Sequence, residues 1–279
     1  MGLVNNIEGK IIKINKNIYT VRTANGVFEC IVRGKLRNDR MLVGDSVNID
    51  VENKTIEQLN ERKNSLIRPL VSNIDKLFIV TSTTIPNFST FLLDKFLVLS
   101  KINNIKPIII ITKLDKVSRK EKSNIIKILK YYKSIGYTVL KNTQINKIKK
   151  EIKNNIVSLA GQTGTGKSTL LNKIDKNLKL NTGEVSIALG RGKHTTRLVE
   201  LFEVSGGLIA DTPGFSSLEL NITSDELMNG FIEFGYNCKY NSCHHQNEEG
   251  CDVIKRVKCG KILLSRYENY LSMLGSVKK

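Results

Sequence analysis

The stretch that most limits how this chain can fold is residues 161–168, GQTGTGKS. It fits the phosphate-loop pattern G-x-x-x-x-G-K-[ST], which works only where a strand runs directly into a helix. The flanks supply that context. Ile156-Val157-Ser158-Leu159-Ala160 is a short apolar run suited to a buried parallel strand, and residues 169–174 suit the first turns of a helix. The three glycines let the backbone turn tightly and aim successive N–H groups at an anion, and the helix adds its positive end. Gly161, Gln162, Thr163, Gly164, Thr165, Gly166 and Thr169 are therefore candidate nucleotide contacts. Lys167 would reach the β- and γ-phosphates, and Ser168 would hold Mg²⁺ through its hydroxyl. The bland account is a glycine-rich turn that matches by chance, and the flanking context argues against it.

The chain has 279 residues, enough for two or three domains. Its net charge of +18 points to a polyanionic partner such as nucleic acid, although a genome biased toward Lys would give the same excess. The charge is uneven. From Lys101 to Lys153 fifteen Lys and Arg stand against three acids, Asp115, Glu121 and Glu151. That concentration fits an RNA-facing surface as well as a solvated one. Three of the five cysteines crowd between Cys238 and Cys251, which reads as a metal site and not as disulfides. No apolar run approaches the roughly 18 residues of a membrane span, and the first residues lack a signal pattern. A cytoplasmic, monomeric chain with no membrane contact is expected.

Residues 1–66 read as a β domain. Short β-branched runs at 10–14, 18–23, 27–32, 46–51 and 55–59 alternate with turn signals, among them Asn25-Gly26, a hairpin pair. Five strands in so short a span suggest the five-stranded oligonucleotide-binding barrel. Its link from 33 to 40 carries Arg33, Lys35, Arg37 and Arg40, which could grip phosphates. Residues 67–221 then alternate strands and helices, as in an α/β domain with a mostly parallel sheet. Within it, residues 88–103 are expected to be helical, with Phe91, Leu92, Lys95, Phe96, Leu99 and Ile102 as the inward stripe. Residues 222–279 hold a short helix near Ser224, the cysteine cluster and a closing helix over 261–274.

Two further motifs specify the chemistry. Asp211-Thr212-Pro213-Gly214 closes a strand; in that place Asp211 would hold Mg²⁺ and the Gly214 N–H would sense the γ-phosphate. Thr112-Lys113-Leu114-Asp115 follows the apolar run 108–111 and resembles the guanine-specifying Asn/Thr-Lys-x-Asp motif. The Asp115 carboxylate would accept from N1–H and the exocyclic amine of guanine, a pattern adenine lacks. Thr112 stands where Asn is commoner. The guanine motif precedes the phosphate loop, the reverse of the usual order, so the domain is expected to be a circularly permuted P-loop GTPase. A P-loop ATPase or kinase is the competing class, and the Thr-Lys-Leu-Asp motif speaks against it.

With GRGKHTTR at 190–197, DTPGFSS at 211–217 and Cys238-x₄-Cys243-x-His245-x₅-Cys251, the chain resembles the ribosome small subunit-dependent GTPases of the RsgA or YjeQ type over essentially its full length. The resemblance implies an N-terminal barrel, a permuted GTPase domain and a C-terminal zinc-binding helical domain. It also implies slow GTP hydrolysis to GDP, stimulated by the small ribosomal subunit and its rRNA during late maturation. A module in which GTP merely sets affinity is the alternative. The switch threonine is Thr196 or Thr195, binding Mg²⁺ and the γ-phosphate. Phe215 occupies the place where small GTPases often carry a water-orienting Gln, and the resemblance offers His194 instead. Three thiolates and an imidazole fit a closed, tetrahedral structural zinc site, with His245 preferred over its neighbour His244. Cys30 and Cys259 fall outside the pattern as plain thiols.

Overall fold

The computed structural model describes residues 6–34, 36, 39–66, 70–178, 199–211, 221–234 and 237–277, with the backbone alone at Asp211. It forms two compact units, each discontinuous in sequence. One comprises the described parts of 1–77, 144–159 and 167–215; the other those of 78–143, 160–166 and 216–279.

In the first unit, β1 (Asn6–Asn15), β2 (Ile18–Thr23), β3 (Gly26–Val32), β4 (Ser46–Asp50) and β5 (Thr55–Leu59) pair in the order β1-β2-β3-β5-β4. The ring closes where β4 returns to β1, from Asn6↔Asp50 to Lys10↔Ser46. β1 pairs β2 along one edge and β4 along the other, and its register with β2 shifts between Ile11 and Lys13, a bulge that bends the strand as closure requires. Ile11, Val21, Cys30, Val47, Ile49 and Ile56 fill the interior. This is the expected five-stranded barrel, and Cys30 is a plain thiol in its core. The expected basic loop lies partly outside the described residues (Lys35, Arg37); Arg33 and Arg40 are exposed.

A small hairpin absent from the sequence reading, β6 (Ser65–Leu66) and β7 (Val71–Ser72), packs against the barrel. It is fixed by Asp45, whose fully buried carboxylate accepts from Arg62 Nε at 2.6 Å, Ser72 Oγ at 2.6 Å and the Leu42 amide at 2.7 Å. Gly44 is obligatory at this crossing: its φ is +95°, and a Cβ would lie 2.2 Å from the Ser72 carbonyl oxygen. The same unit holds α3 (Ile145–Ile152), β11 (Ile156–Ala160), α4 (Lys167–Ile174), β12 (Glu200–Val204) and β13 (Gly207–Asp211). β13 runs parallel to β11 and antiparallel to β12, and β12 joins the barrel through Lys13↔Glu200.

In the second unit, β8 (Lys76–Ser82), β9 (Lys106–Thr112) and β10 (Thr138–Lys141) lie side by side, with β9 and β10 parallel. β9 is apolar from Ile108 to Ile111 with every residue buried, as a two-sided parallel strand requires. α2 (Arg119–Ser134) starts at a capping box between Ser118 and Glu121. α1 (Thr90–Ile102) departs from the expected stripe. Its buried residues are Leu93, Asp94, Phe96, Leu97, Val98 and Ser100, while Phe91 and Ile102 pack against a second cluster. The reason is that α1 has β9 on one side and α5 (Ser224–Gly230) and α7 (Leu264–Leu274) on the other. A helix covered on two sides has no single apolar face to read.

That second cluster contains Val98, Leu227, Phe231, Phe234, Tyr270 and Met273. A charged network crosses it. Arg266, fully buried, donates to Glu233 at 2.7 and 2.6 Å and to Asp94 at 2.7 Å, and its guanidinium lies 4.4 Å from the Phe231 ring centroid. Tyr132 and Asn269 also donate to Asp94. α6 (Asp252–Lys258) was not anticipated; the closing helix begins at Leu264 and not at Lys261. No helix among the described residues is long and apolar enough to cross a membrane.

Candidate functional site

The phosphate loop leaves β11 as expected. Gly161, Gly164 and Gly166 adopt φ of +139°, +82° and +93°. Gly161 admits no substitute, because a Cβ there would sit 2.2 Å from the Val80 carbonyl oxygen. The Thr165 hydroxyl and amide both donate to the Gln162 carbonyl, at 2.9 and 3.3 Å, and close the loop on itself. α4 opens at Lys167, two residues before the expected start. The Lys167 side chain is buried, and burial pushes its amine down to about 8. The Ser168 hydroxyl is buried without a hydrogen-bond partner among the described residues. A buried, unsatisfied hydroxyl at the second turn position after the loop fits a Mg²⁺ ligand.

The guanine motif meets the loop within the second unit. Thr112 is buried at the end of β9, and its hydroxyl donates to the Thr165 carbonyl at 2.7 Å. The residue that stands in place of Asn thus ties the two motifs together. Lys113 takes the left-handed conformation, φ +58°, and its amine donates to the Ile85 and Thr84 carbonyls. Its own carbonyl accepts from the Thr83 hydroxyl at 2.6 Å, and the Thr83 amide donates to the Thr112 carbonyl at 3.3 Å. Thr83 is a positioning residue that sequence reasoning passed over; its one signal is a threonine pair directly after β8. Asp115 is exposed, so the desolvation that makes a carboxylate discriminate must come from the base that covers it. The Asn142 amide, just after β10, donates to the Ile111 carbonyl, one residue before the motif, at 3.0 Å.

The cysteine cluster is a four-cornered cage. Nδ1 of His245 lies 3.6, 3.4 and 3.4 Å from the sulfurs of Cys238, Cys243 and Cys251, and the Cys238 and Cys251 sulfurs are 3.9 Å apart. Zinc bonds of about 2.3 Å to sulfur and about 2.05 Å to nitrogen give tetrahedral edges of about 3.8 Å between sulfurs and about 3.6 Å from sulfur to nitrogen. The residues therefore fit zinc, and sulfurs this far apart are not a disulfide. Burial pushes the Cys243 thiol up to about 12; a cation between the sulfurs is what would make them thiolates. The cage is fastened from outside. The Asp252 and Ile254 amides point at Cys238 and Cys251 sulfurs, Glu248 accepts from the amides of His244, Gln246 and Asn247, and Tyr267 and Tyr270 donate to the His245 and His244 carbonyls at 2.7 Å.

His194, Thr195, Thr196, Gly214 and Phe215 lie outside the described residues, as does the side chain of Asp211. The Asp211 backbone ends β13, where the sequence put it.

The family model described as RsgA GTPase matches residues 59–221, and that described as RsgA N-terminal domain matches residues 8–56. A relative from Geobacillus sp. (strain WCH70), named small ribosomal subunit biogenesis GTPase RsgA, is 43% identical over 286 residues, covering 98% of each chain. The solved structure of YjeQ from Thermotoga maritima superposes with a TM-score of 0.86 at 33% identity, covering 97% of this chain and 98% of that one. The structure of YloQ, titled a circularly permuted GTPase, gives 0.82 at 36% identity, covering 97% and 94%.

Proposed function

The chain belongs to the RsgA family of GTPases, and from that premise we propose that it hydrolyses GTP to GDP on the small ribosomal subunit and assists that subunit's late maturation. The observation that carries the reading is the 2.7 Å hydrogen bond from Thr112 to Thr165, which holds a guanine-type motif against a phosphate loop despite their inverted order in the chain. Residues 161–169 bind the phosphates, with Lys167 neutralising the β,γ oxygens. Thr112, Lys113 and Asp115 bind the base. Ser168, Asp211 and Thr196 are the Mg²⁺ ligands, Gly214 senses the γ-phosphate, and His194 holds the attacking water. Bound Mg²⁺ would draw off charge developing on the phosphoryl oxygens.

Residues 1–66 form the RNA-binding barrel, 67–221 the permuted GTPase domain and 222–279 a domain built on one structural zinc held by Cys238, Cys243, His245 and Cys251. The protein acts in the cytoplasm as a monomer. The deciding experiment is GTP turnover with and without purified small subunits, with ATP as competitor. Stimulation by subunits and indifference to ATP are expected. Turnover that subunits leave unchanged would favour the reading in which GTP only sets affinity.

A further inference from the structure

The outward face of α2 carries Arg119, Lys120, Lys127 and Lys130, with Ser123, Asn124 and Ser134 between them, and all seven are exposed. The opposite face, Ile125, Leu129 and Tyr132, is buried. From Lys120 to Lys130 the stripe runs about 15 Å along the axis, with neighbouring charges about one helical turn apart where they recur at i, i+3. No acid breaks it. Glu121 is the one acidic residue of the helix, and its carboxylate is bound in the capping box to the Ser118 amide and hydroxyl. None of the four cations enters an ion pair among the described residues. Lys127 and Lys130, and Lys130 and Lys133, are like-charged i, i+3 pairs, which weaken a helix.

A uniform Lys bias does not produce this. α7, of eleven residues, carries Arg266 and Glu268 as its only charges, and Arg266 is buried. α1 carries two lysines in thirteen residues. Basic residues also gather in α3, three in eight, and in α6, three in seven, but α2 is the longest such helix and the one whose exposed face carries no free acid.

We propose that this face of α2 is a docking surface for the sugar–phosphate backbone of duplex RNA. Three features choose that partner. The exposed face has no apolar residue to sink into a bilayer, since the apolar face of α2 is already used in the core. Its exposed residues include no aromatic on which unpaired bases could stack; Tyr131 beside them is half-buried with its hydroxyl turned to Glu233, so the face meets phosphates and not single strands. Like charges strung along one helix face, over about 15 Å from Lys120 to Lys130, suit a run of phosphates and would add affinity without reading sequence. The inference deepens the proposed function and rests on it for the identity of the RNA, which would be a helical rRNA segment of the small subunit.

The test uses the full chain, a triple variant Lys120→Gln, Lys127→Gln, Lys130→Gln, and its charge-keeping counterpart with Arg at the same positions. Gln keeps helix propensity close to that of Lys, so the helix survives. Affinity for purified small subunits and for a 20-base-pair RNA duplex is followed against salt. The Gln variant should lose at least tenfold in affinity at low salt, and its log–log salt slope should flatten by about 2 to 3, with the Arg variant and the intrinsic GTP turnover unchanged. A photo-crosslinking benzoylphenylalanine in place of Ser123 should label rRNA. An unchanged slope in the Gln variant overturns the inference, as does a crosslink to ribosomal protein alone. So does stripe-dependent preference for single-stranded RNA or for phosphatidylglycerol vesicles over the duplex. If wild type binds the duplex through these lysines but ignores the subunit, the proposed function fails and the surface stands. If it binds the subunit and the Gln variant binds identically, the reverse holds.

Discussion

Replacing Arg266 by Met should be among the most damaging single changes in the described structure, although the residue is far in sequence from every nucleotide motif. Its guanidinium makes three hydrogen bonds of 2.6–2.7 Å to Asp94 and Glu233. Asp94 and Arg266 are both 0% exposed, and Glu233 is 4%. Met fills the space but leaves two carboxylates in an apolar cluster, and breaking a buried pair from one side costs about 3–5 kcal/mol. Burial already pushes the Asp94 carboxyl above the usual carboxylate range, with Arg266 pulling it back; removing Arg266 lets it rise further. Arg266 itself stays charged, because Asp94 and Glu233 outweigh the burial that opposes it.

The sign of the pH dependence follows. A carboxyl whose folded pKa is raised binds more protons folded than unfolded between its two pKa values, so stability falls as pH rises through that window. The deficit of Arg266→Met should therefore be largest near pH 7 and shrink toward pH 5. Amide hydrogen exchange of α1 and α7, read at both pH values, measures the local loss. A triple variant with Leu also at Asp94 and Glu233 should recover most of it, since an apolar replacement leaves no charge behind. A cost below about 1 kcal/mol at pH 7, or one that grows on acidification, refutes the reasoning.

Lys167, held near 8 by burial, should regain its proton when phosphates arrive. GTP affinity is then flat below about pH 8 and falls toward tenfold per pH unit above it, with proton uptake visible by calorimetry at pH 8.5 in buffers of different ionisation enthalpy. Thr83→Val removes the donor that holds the Lys113 carbonyl; GTP affinity should drop about fivefold to tenfold, with turnover at saturation kept and Thr83→Ser restoring binding. Metal analysis should find one equivalent of zinc in the wild type and none in Cys243→Ser, which should also loosen α6 and α7 in amide exchange with GTP binding largely spared. His194→Ala should bind GTP and the subunit nearly normally while subunit-stimulated turnover falls roughly 100-fold, as for loss of a positioned acid–base group.

The sequence carried the phosphate loop, the Thr-Lys-Leu-Asp motif and the cysteine–histidine cluster because each is written in nearby residues whose spacing is itself the signal. The barrel was readable for the same reason: short alternating runs punctuated by Asn25-Gly26 and Val43-Gly44-Asp45. What escaped is long-range. Arg266 and Asp94 stand 172 positions apart, and no period in α7 marks Arg266 as an inward residue. Thr83 acts on a carbonyl 30 residues away, through a hydroxyl that looks like any other loop threonine. α1 was read as one-faced because a stripe is what apolar spacing suggests, and its second partner arrives more than 120 residues later, at α5. The two-residue strands β6 and β7 have no pattern long enough to read; Asp45 and Ser72 define them.

β12 pairs with β13 on one side and reaches β1 of the barrel on the other, with Lys13 and Glu200 opposite in register and their side chains 3.2 Å apart. Leu201 and Val204 are buried along it. A strand gripped on both edges cannot slide, and a slip of one residue would carry Leu201 and Val204, which lie on opposite faces, each to the face the other now fills. Insertions and deletions, which surface connections usually absorb, should be tolerated at the tip of the β2–β3 hairpin and rejected within β12, from 200 to 204. A library of single-residue insertions scored for growth would draw that boundary.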